Sequence, residues 1–174
     1  MLKTTEKGFT LIEVLVALAI LGAIMGVMSA AVISIMKVNT QNTEWNVNLR
    51  QVQNAGHWIS RDALMAQVVS DNKTGVFLAL TWSDWDGNSY NVDYVLNVND
   101  STLTRQLNVR HLDGSTDDST LLIAKYIDPA FTTCSWDGDE NNLTVTIKAS
   151  LHGNKDRYVK RTYEISPRPA LRGG

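Results

Sequence analysis

The feature that most constrains this chain is an uncharged apolar run over residues 14–36, which contains no Lys, Arg, Asp or Glu. About 20 apolar residues in a helix span a bilayer core, so this stretch is long enough with a margin. After residue 36 the sequence becomes polar and mixed in charge. We therefore expect one N-terminal membrane-spanning helix that carries a single water-soluble head.

Composition limits what the head can be. The chain has 174 residues, of which 44% are hydrophobic and 20% charged, so it has room for one domain and is not disordered throughout. The net charge of −2 provides no basic field for nucleic acid, and we expect no nucleic-acid partner. The single cysteine, Cys134, excludes a disulfide framework and a four-cysteine zinc site, and we interpret it as a buried thiol.

Flanking charges predict the orientation in the membrane. Lys3 and Lys7 precede the apolar run, and Lys37 follows it. By the positive-inside rule the two leading lysines keep the N-terminus in the cytoplasm, so the head is expected across the membrane. An ordinary secretory signal peptide is the alternative, with a small-residue cleavage site at residues 29–31. The length of the run and the carboxylate of Glu13 at its entrance favour a retained helix.

A specific block opens the apolar run, and it reads Lys7-Gly8-Phe9-Thr10-Leu11-Ile12-Glu13. It resembles the prepilin signature of type IV pilins and type II secretion pseudopilins, in which a basic leader ends in Gly, a Phe follows, and a Glu lies four residues further on. The resemblance implies that a prepilin peptidase cuts after Gly8 and methylates the new amine of Phe9. It also implies assembly with other pilin or pseudopilin subunits and an inner-membrane assembly platform.

The carboxylate of Glu13 is costly in a membrane, because an ionised group in hydrocarbon loses its solvation unless it is paired. Cleavage after Gly8 creates a cation, the ammonium of Phe9, and methylation keeps its charge. The family resemblance implies that the pairing runs to a neighbouring subunit. Our hypothesis is that Glu13 docks the subunit on a partner's amine during assembly. The alternative is a side chain that only reaches the membrane interface.

Small residues in the apolar run predict close helix packing. Gly22 and Gly26 form a small-x-x-x-small pattern that Ala30 extends. Such patterns let helix backbones approach closely in lipid or in a bundle of helices. We therefore expect this face to contact membrane lipid first and neighbouring helices after assembly.

Beyond the run, a 4-3 spacing of apolar residues predicts that the helix continues as an amphipathic helix to about residue 69. The polar and charged side chains of this stretch, Asp62 among them, mostly lie off the stripe. Turn-forming residues at 70–75 are expected to end it. The stripe is expected to pack in the core of the head and consists of Trp45, Leu49, Val52, Gly56, Ile59, Ala63 and Ala66.

After residue 75 the apolar period changes to two, which predicts strands. Hairpin-turn signals occur at residues 86–88 and 99–101, and residues 121–136 show no regular pattern. The predicted fold class is α+β, pilin-like, with a long N-terminal helix, half transmembrane and half amphipathic, packed on an antiparallel sheet of five to seven strands. The expected segments are a leader (1–8), a spanning helix (9–36), an amphipathic helix (37–70), a sheet head (71–166) and a flexible tail (167–174).

Two features favour a minor subunit over a major pilin: the head is relatively large, and one cysteine cannot close the C-terminal disulfide loop of many major pilins. The layout is similar to J-type minor pseudopilins and W-type minor pilins, on segments 82–88, 92–96, 103–107 and 166–168. That resemblance implies a structural subunit near the filament tip that primes assembly. The alternatives are a bitopic binding protein with a membrane anchor and a minor pilin of a DNA-uptake system.

We expect no enzyme, cofactor or metal, since no Gly-x-Ser-x-Gly, Walker or dinucleotide motif occurs. Acidic turns at residues 84–88, 113–118 and 137–142 contain the carboxylates that calcium prefers, but hairpin turns explain them better. Other residue types with possible functions are expected at the surface or in packing. They are the histidines His57, His111 and His152, and the tryptophans Trp82, Trp85 and Trp136, for which core or cross-strand packing is favoured over an exposed contact surface.

Overall fold

The computed structural model describes residues 8, 10–71, 73–151 and 157–168. It consists of one long helix followed by eight strands among these residues. The chain divides into two compact units, Met1–Thr43 and Glu44–Gly174, which we call the N-terminal unit and the head. The elements are α1 (Leu11–Met65), β1 (Val68–Ser70), β2 (Leu78–Ser83), β3 (Ser89–Asn97), β4 (Thr102–Arg110), β5 (Thr116–Ala124), β6 (Thr133–Asp137), β7 (Asn142–Ala149) and β8 (Val159–Ile165). The α+β, pilin-like fold class is thereby confirmed.

Helix α1 contains no proline, which is consistent with its 55-residue length. It ends at Met65, so the prediction that it continues to about residue 69 was wrong. The backbone N–H of Gln67 donates to the carbonyl of Thr81 at 2.9 Å, and Val68–Ser70 then pairs with β2. Two β-branched valines in this segment suit a strand better than a helix, and pairing with β2 satisfies the backbone groups.

Within the head, the strands form two antiparallel sheets instead of the one predicted. One has five strands in the order β1-β2-β3-β4-β5, and the other has three in the order β6-β7-β8. Residues 121–136, which lack a regular pattern, contain the end of β5 and all but the last residue of β6. Alternation is absent at the end of β5 because Leu121 and Leu122 are both exposed, whereas Ile123 and Ala124 are both buried. The acidic segment 113–118 likewise enters β5 at Thr116 and is only partly a turn.

One core joins the second half of α1 to both sheets of the head. Val52, Ile59 and Ala63 of the predicted stripe are completely buried. Trp45 is not part of this core, since 54% of its surface is exposed. The stripe therefore packs only from about Leu49 onward, and the expectation for Trp45 was wrong because the core begins further along the helix than the periodicity indicated.

The predicted stripe also contains a close contact between α1 and the smaller sheet. A Cβ added at Gly56 would lie 2.1 Å from the ring of Tyr163 on β8. The hydroxyl of Tyr163 donates to the carbonyl of Val52 at 3.1 Å, one turn earlier on the helix. Gly56 is therefore the position where the missing side chain lets the aromatic ring lie against the helix backbone.

Asp62 is buried in the head, with only 1% of its surface exposed, although the helical pattern placed it off the stripe. Its carboxylate accepts hydrogen bonds from the hydroxyl of Tyr94 at 2.6 Å and from Nε of Arg105 at 2.5 Å. Arg61 pairs with the other carboxylate oxygen at 3.1 Å. Burial and the adjacent carboxylate raise the pKa of Tyr94. A buried acid is tolerated here because three donors satisfy it, which the pattern of one helix cannot reveal.

Two predictions about the C-terminal part of the head need correction. Cys134 is half-buried instead of fully buried, although burial and then the charge of Asp71 raise the pKa of its thiol to about 12. Pro167, assigned to a flexible tail, is buried, and its carbonyl accepts a hydrogen bond from Nδ2 of Asn141 at 2.7 Å. The remainder of the predicted tail, residues 169–174, lies outside the described residues.

Candidate functional site

The start of α1 is closed by a reciprocal set of hydrogen bonds between Thr10 and Glu13. The backbone N–H and the hydroxyl of Thr10 donate to Oε2 of Glu13 at 2.9 and 3.0 Å. The backbone N–H of Glu13 lies 3.4 Å from the hydroxyl of Thr10. This is a capping box, in which a Thr before the helix and a Glu three residues later satisfy helix N–H groups that otherwise lack partners. The Thr-x-x-Glu spacing is the sequence signature of a capping box, but the capping box was not predicted from the sequence.

Glu13 stands on an apolar surface. It lines an open groove of about 310 Å³ together with Ile12, Val16, Ala17 and Ile20. Its side chain is exposed, and among the described residues it makes no ion pair. The carboxylate therefore has neutral hydrogen-bond donors from its own chain but no cation from the part of the chain that the structure describes.

The residues predicted for processing lie just before this box. Gly8 is exposed, and among the described residues a Cβ added there would have no neighbour within 4 Å. Its backbone is therefore open to approach from solvent. Phe9 and the predicted leader up to residue 7 lie outside the described residues.

The N-terminal unit exposes an unusual amount of apolar surface. Every large hydrophobic side chain from Leu11 to Val38 is exposed, whereas soluble monomers rarely show contiguous apolar patches above a few hundred Å². Among the described residues, α1 is the one helix long and apolar enough to cross a membrane. The unit is thus suited to a single-pass membrane anchor, because lipid or other helices can cover this surface.

The predicted packing positions and the hydroxyls of this unit suit an apolar medium. At Gly22 and at Gly26 an added Cβ would meet nothing within 4 Å, so both positions are open notches on the helix surface. The hydroxyl of Ser29 donates to the carbonyl of Met25 at 2.9 Å, and those of Thr40 and Thr43 donate to carbonyls one turn earlier. These hydroxyls need no water or second chain to be satisfied.

In the head, the acidic turns serve local structure. The carboxylate of Asp84 accepts from the backbone N–H groups of Asp86 and Asn88, from the amide of Asn88 and from the hydroxyl of Tyr90. The bond from the Asn88 side chain is the main cause that lowers the pKa of Asp84. This arrangement confirms the predicted hairpin turn. Among the described residues, no three His, Cys, Asp or Glu side chains group as metal ligands would.

The histidines and tryptophans are divided between surface and packing. His57 is exposed on α1, His111 is half-buried against Asn88 and Asp117, and His152 lies outside the described residues. Trp82 is buried and stacks on Tyr90 with ring centroids 5.4 Å apart, which is the predicted cross-strand packing. Trp136 is partly buried against the core. Trp85 is 100% exposed, so packing does not explain it.

Comparison with known proteins adds one finding. Residues 3–35 match the family model of the prokaryotic N-terminal methylation motif. The matched segment includes Gly8 and Phe9, which are predicted for processing, and Glu13, which is predicted for assembly. The chain matches no curated protein and no solved structure.

Proposed function

We propose that this chain, a type IV prepilin-like protein by its N-terminal methylation motif, is a minor pilin or minor pseudopilin, a non-enzymatic structural subunit of a pilus or of a type II secretion pseudopilus. In this proposal residues 1–8 are a leader, and residues 9–36 are the membrane-spanning segment that becomes filament core. The amphipathic part of the helix and the sheets are carried outside the inner membrane. The match of residues 3–35 to the methylation motif carries the proposal.

Processing is the first step that the proposal requires. A prepilin peptidase cuts the peptide bond after Gly8, where the exposed backbone and the missing side chain offer no obstacle. The peptidase then methylates the amine of Phe9. The positive charge of that amine is kept, which matters for the next step.

Assembly uses Glu13 as the acceptor of a partner's terminal ammonium. The carboxylate lies in an apolar groove without a cation from the described part of its own chain, and an ammonium from a neighbouring subunit supplies the charge that the site lacks. Thr10 holds the carboxylate at the helix start until that partner arrives. The pairing fixes the position of one helix along another, because only one point on the apolar surface is charged.

The exposed apolar surface makes the transfer from membrane to filament inexpensive. Lipid tails are as apolar as leucine side chains, so helices that leave lipid for one another gain packing and lose little hydrophobic energy. Gly22 and Gly26 give neighbouring backbones room to approach, since nothing of this chain occupies the space above them. Membrane lipid and an inner-membrane assembly platform are therefore the expected partners before the filament forms.

The minor role rests on the head. Its single cysteine, Cys134, is half-buried and cannot close the disulfide loop of many major pilins. The segment order also resembles J-type pseudopilins and W-type minor pilins. A position near the filament tip, where one subunit binds other minor subunits and primes growth, fits a head of this kind.

The mature N-terminus tests the proposal most directly. Mass spectrometry of the full chain purified from its native cells is expected to show an N-terminal methylated Phe9 and no leader. A Gly8→Ala variant is expected to retain the leader, and Gly138→Ala is the matched control in the head, where an added Cβ makes only an ordinary contact with Trp136 at 3.5 Å. An intact Met1 in the parent chain would instead support a bitopic binding protein, and a cut after Ala31 would indicate ordinary secretion.

A further inference from the structure

Two turns of the five-stranded sheet meet at one end of the head. The turn between β2 and β3 covers residues 84–88, and the turn between β4 and β5 covers residues 111–115. Alternate turns of an antiparallel sheet lie at the same end, and here they touch, since a Cβ added at Gly87 would lie 3.3 Å from Cδ1 of Leu112. We call residues 84–88 and 110–118 together the hairpin-tip surface.

This surface is braced by hydrogen bonds within and between the turns. Asp84 accepts four hydrogen bonds from its own turn and from Tyr90. Oδ1 of Asn88 lies 3.3 Å from Nδ1 of His111 and accepts from the backbone N–H of Leu112, also at 3.3 Å. The two turns are therefore held in one arrangement before anything binds, which lowers the entropic cost of binding.

The centre of the hairpin-tip surface is apolar. Trp85 is 100% exposed and Leu112 is 80% exposed, and they lie on the two turns that touch. A tryptophan is the residue type most enriched where a few side chains dominate binding between proteins. Trp85 therefore has a large apolar area that a partner can bury, and its turn loses little conformational entropy on binding because hydrogen bonds already hold it.

The surroundings of these two side chains are acidic. The hairpin-tip surface contains five aspartates, one arginine, Arg110, and one histidine, His111, which contacts Asp117 at 3.0 Å. This charge disfavours nucleic acid and anionic lipid, and it complements a protein surface that carries lysine or arginine. The aspartates are Asp84, Asp86, Asp113, Asp117 and Asp118.

We infer that the hairpin-tip surface is a docking site for a partner protein that offers an apolar pocket for Trp85, with Leu112 beside it and basic residues around the rim. The inference goes beyond the proposed function, because it rests on the head alone and not on the methylation motif. Trp85 supplies most of the affinity, and the aspartates supply orientation and speed of association.

Site-specific photo-crosslinking of the full chain in intact native cells tests this inference. The photoreactive residue p-benzoylphenylalanine replaces Leu112, so that Trp85 is kept, and in a matched control it replaces Val98, an exposed apolar residue in the turn at the opposite end of the sheet. We expect one defined protein adduct from position 112 and none of the same mass from position 98. The crosslinked peptide of that partner is expected to lie next to lysine or arginine.

Charge reversal separates a specific interface from chance contact. Asp86→Lys changes the rim at a side chain that accepts no described hydrogen bond. Asp139→Lys is the control, because Asp139 is also exposed, accepts no described hydrogen bond with its side chain and lies in the turn between β6 and β7. We expect Asp86→Lys to reduce the adduct by about fivefold and a Lys→Glu or Arg→Glu change in the partner to restore it. Trp85→Ala is expected to weaken binding of the purified partner by more than about tenfold.

Several outcomes would overturn the inference: no adduct, an adduct with lipid, an adduct with a second copy of this chain, or equal adducts from positions 112 and 98. An adduct that Asp86→Lys leaves unchanged would do the same. All variants are first compared with the parent for protease resistance of the full chain, so that loss of folding is not mistaken for loss of docking.

Discussion

The N-terminal unit and the head treat apolar side chains in opposite ways, although one helix runs through both. In the head, Val52 and Ile59 of α1 are fully buried by strands of the same chain. In the N-terminal unit, Leu11, Ile24 and Ile35 are exposed, as are the other large hydrophobic residues of that stretch. The head therefore buries its core with its own strands, whereas the N-terminal unit depends on lipid or other helices to cover its surface.

Two carboxylates on α1 show the same contrast. Asp62 is buried with two arginines and a tyrosine from its own chain as partners. Glu13 has only the backbone and hydroxyl of Thr10 among the described residues. The chain supplies the countercharges for Asp62, which its own residues bury. We infer that the charge of Glu13 is instead neutralised by another molecule.

The largest effect is expected from Glu13→Gln, which keeps the shape but removes the charge. We expect normal membrane insertion and N-terminal processing but loss of co-assembly, because the partner's ammonium then has no countercharge. Copurification of the full chain with other subunits measures this. Glu44→Gln, also on α1 but paired with Arg157 in the head, is the control and should assemble. Normal assembly of Glu13→Gln would show that Glu13 does not need a cation from another subunit, and its contrast with Asp62 would then have no role in assembly.

Asp62→Asn is expected to have the next largest effect. It leaves the buried guanidinium of Arg105 without a countercharge, which costs about 3–5 kcal/mol in the free energy of unfolding. Denaturant unfolding of the full chain in detergent measures it. In the control Arg61→Ala, a partner that is 47% exposed is lost, and the cost should stay below about 1 kcal/mol. A change of under about 0.5 kcal/mol for Asp62→Asn would contradict the importance of the buried network.

Gly56→Ala tests how tightly α1 packs against β8 in the head. The added methyl group would collide with the ring of Tyr163, at a cost of about 1–3 kcal/mol that exceeds the gain in helix propensity of about 1 kcal/mol. A net loss of up to about 2 kcal/mol is therefore expected in the same unfolding assay. Gly22→Ala is the matched control in the N-terminal unit, where nothing meets the methyl group, and the unfolding midpoint of the head should not move. A more stable Gly56→Ala variant would show that the helix and β8 separate easily.

Thr10→Val is expected to have the smallest and most local effect. It keeps the shape and the backbone bond to Glu13 but removes the hydroxyl bonds, so the first turn of α1 should lose about 1 kcal/mol. Hydrogen exchange of the amides in that turn should accelerate about fivefold, while the head remains unchanged. Thr43→Val, which removes a hydroxyl bonded one turn back to Asn39, is the control for losing a hydroxyl elsewhere. Unchanged exchange near residue 13 would mean that the capping box does not hold the helix start.

Local patterns in the sequence were sufficient for the long helix, for the hairpin turn at Asp84 and for most of the buried stripe. Features that depend on residues distant along the chain were missed. Asp62 looks like a surface residue until Tyr94 and Arg105 are placed opposite it. The division into two sheets and the exposure of Trp45 depend on how far the strands extend over α1, which no periodicity records.

The sequence predicts the part of the candidate site whose residues are close together along the chain. Gly8, Phe9 and Glu13 are within six residues of one another, so a motif identifies them without a fold. The hairpin-tip surface joins residues 84–88 to residues 110–118, and only the pairing of β3 with β4 and of β4 with β5 brings them together. A tryptophan predicted to pack was instead fully exposed, because its turn projects beyond the sheet.

The hydroxyl of Ser29 donates to the carbonyl of Met25 within the same helix. A hydroxyl that is hydrogen-bonded within its own helix needs no partner from lipid or from another protein chain. When the helix moves from lipid to contact with other helices, this hydrogen bond is kept and the hydroxyl is never left without an acceptor. This part of the chain is therefore prepared for repeated changes of surroundings, in either direction, without any rearrangement of its own.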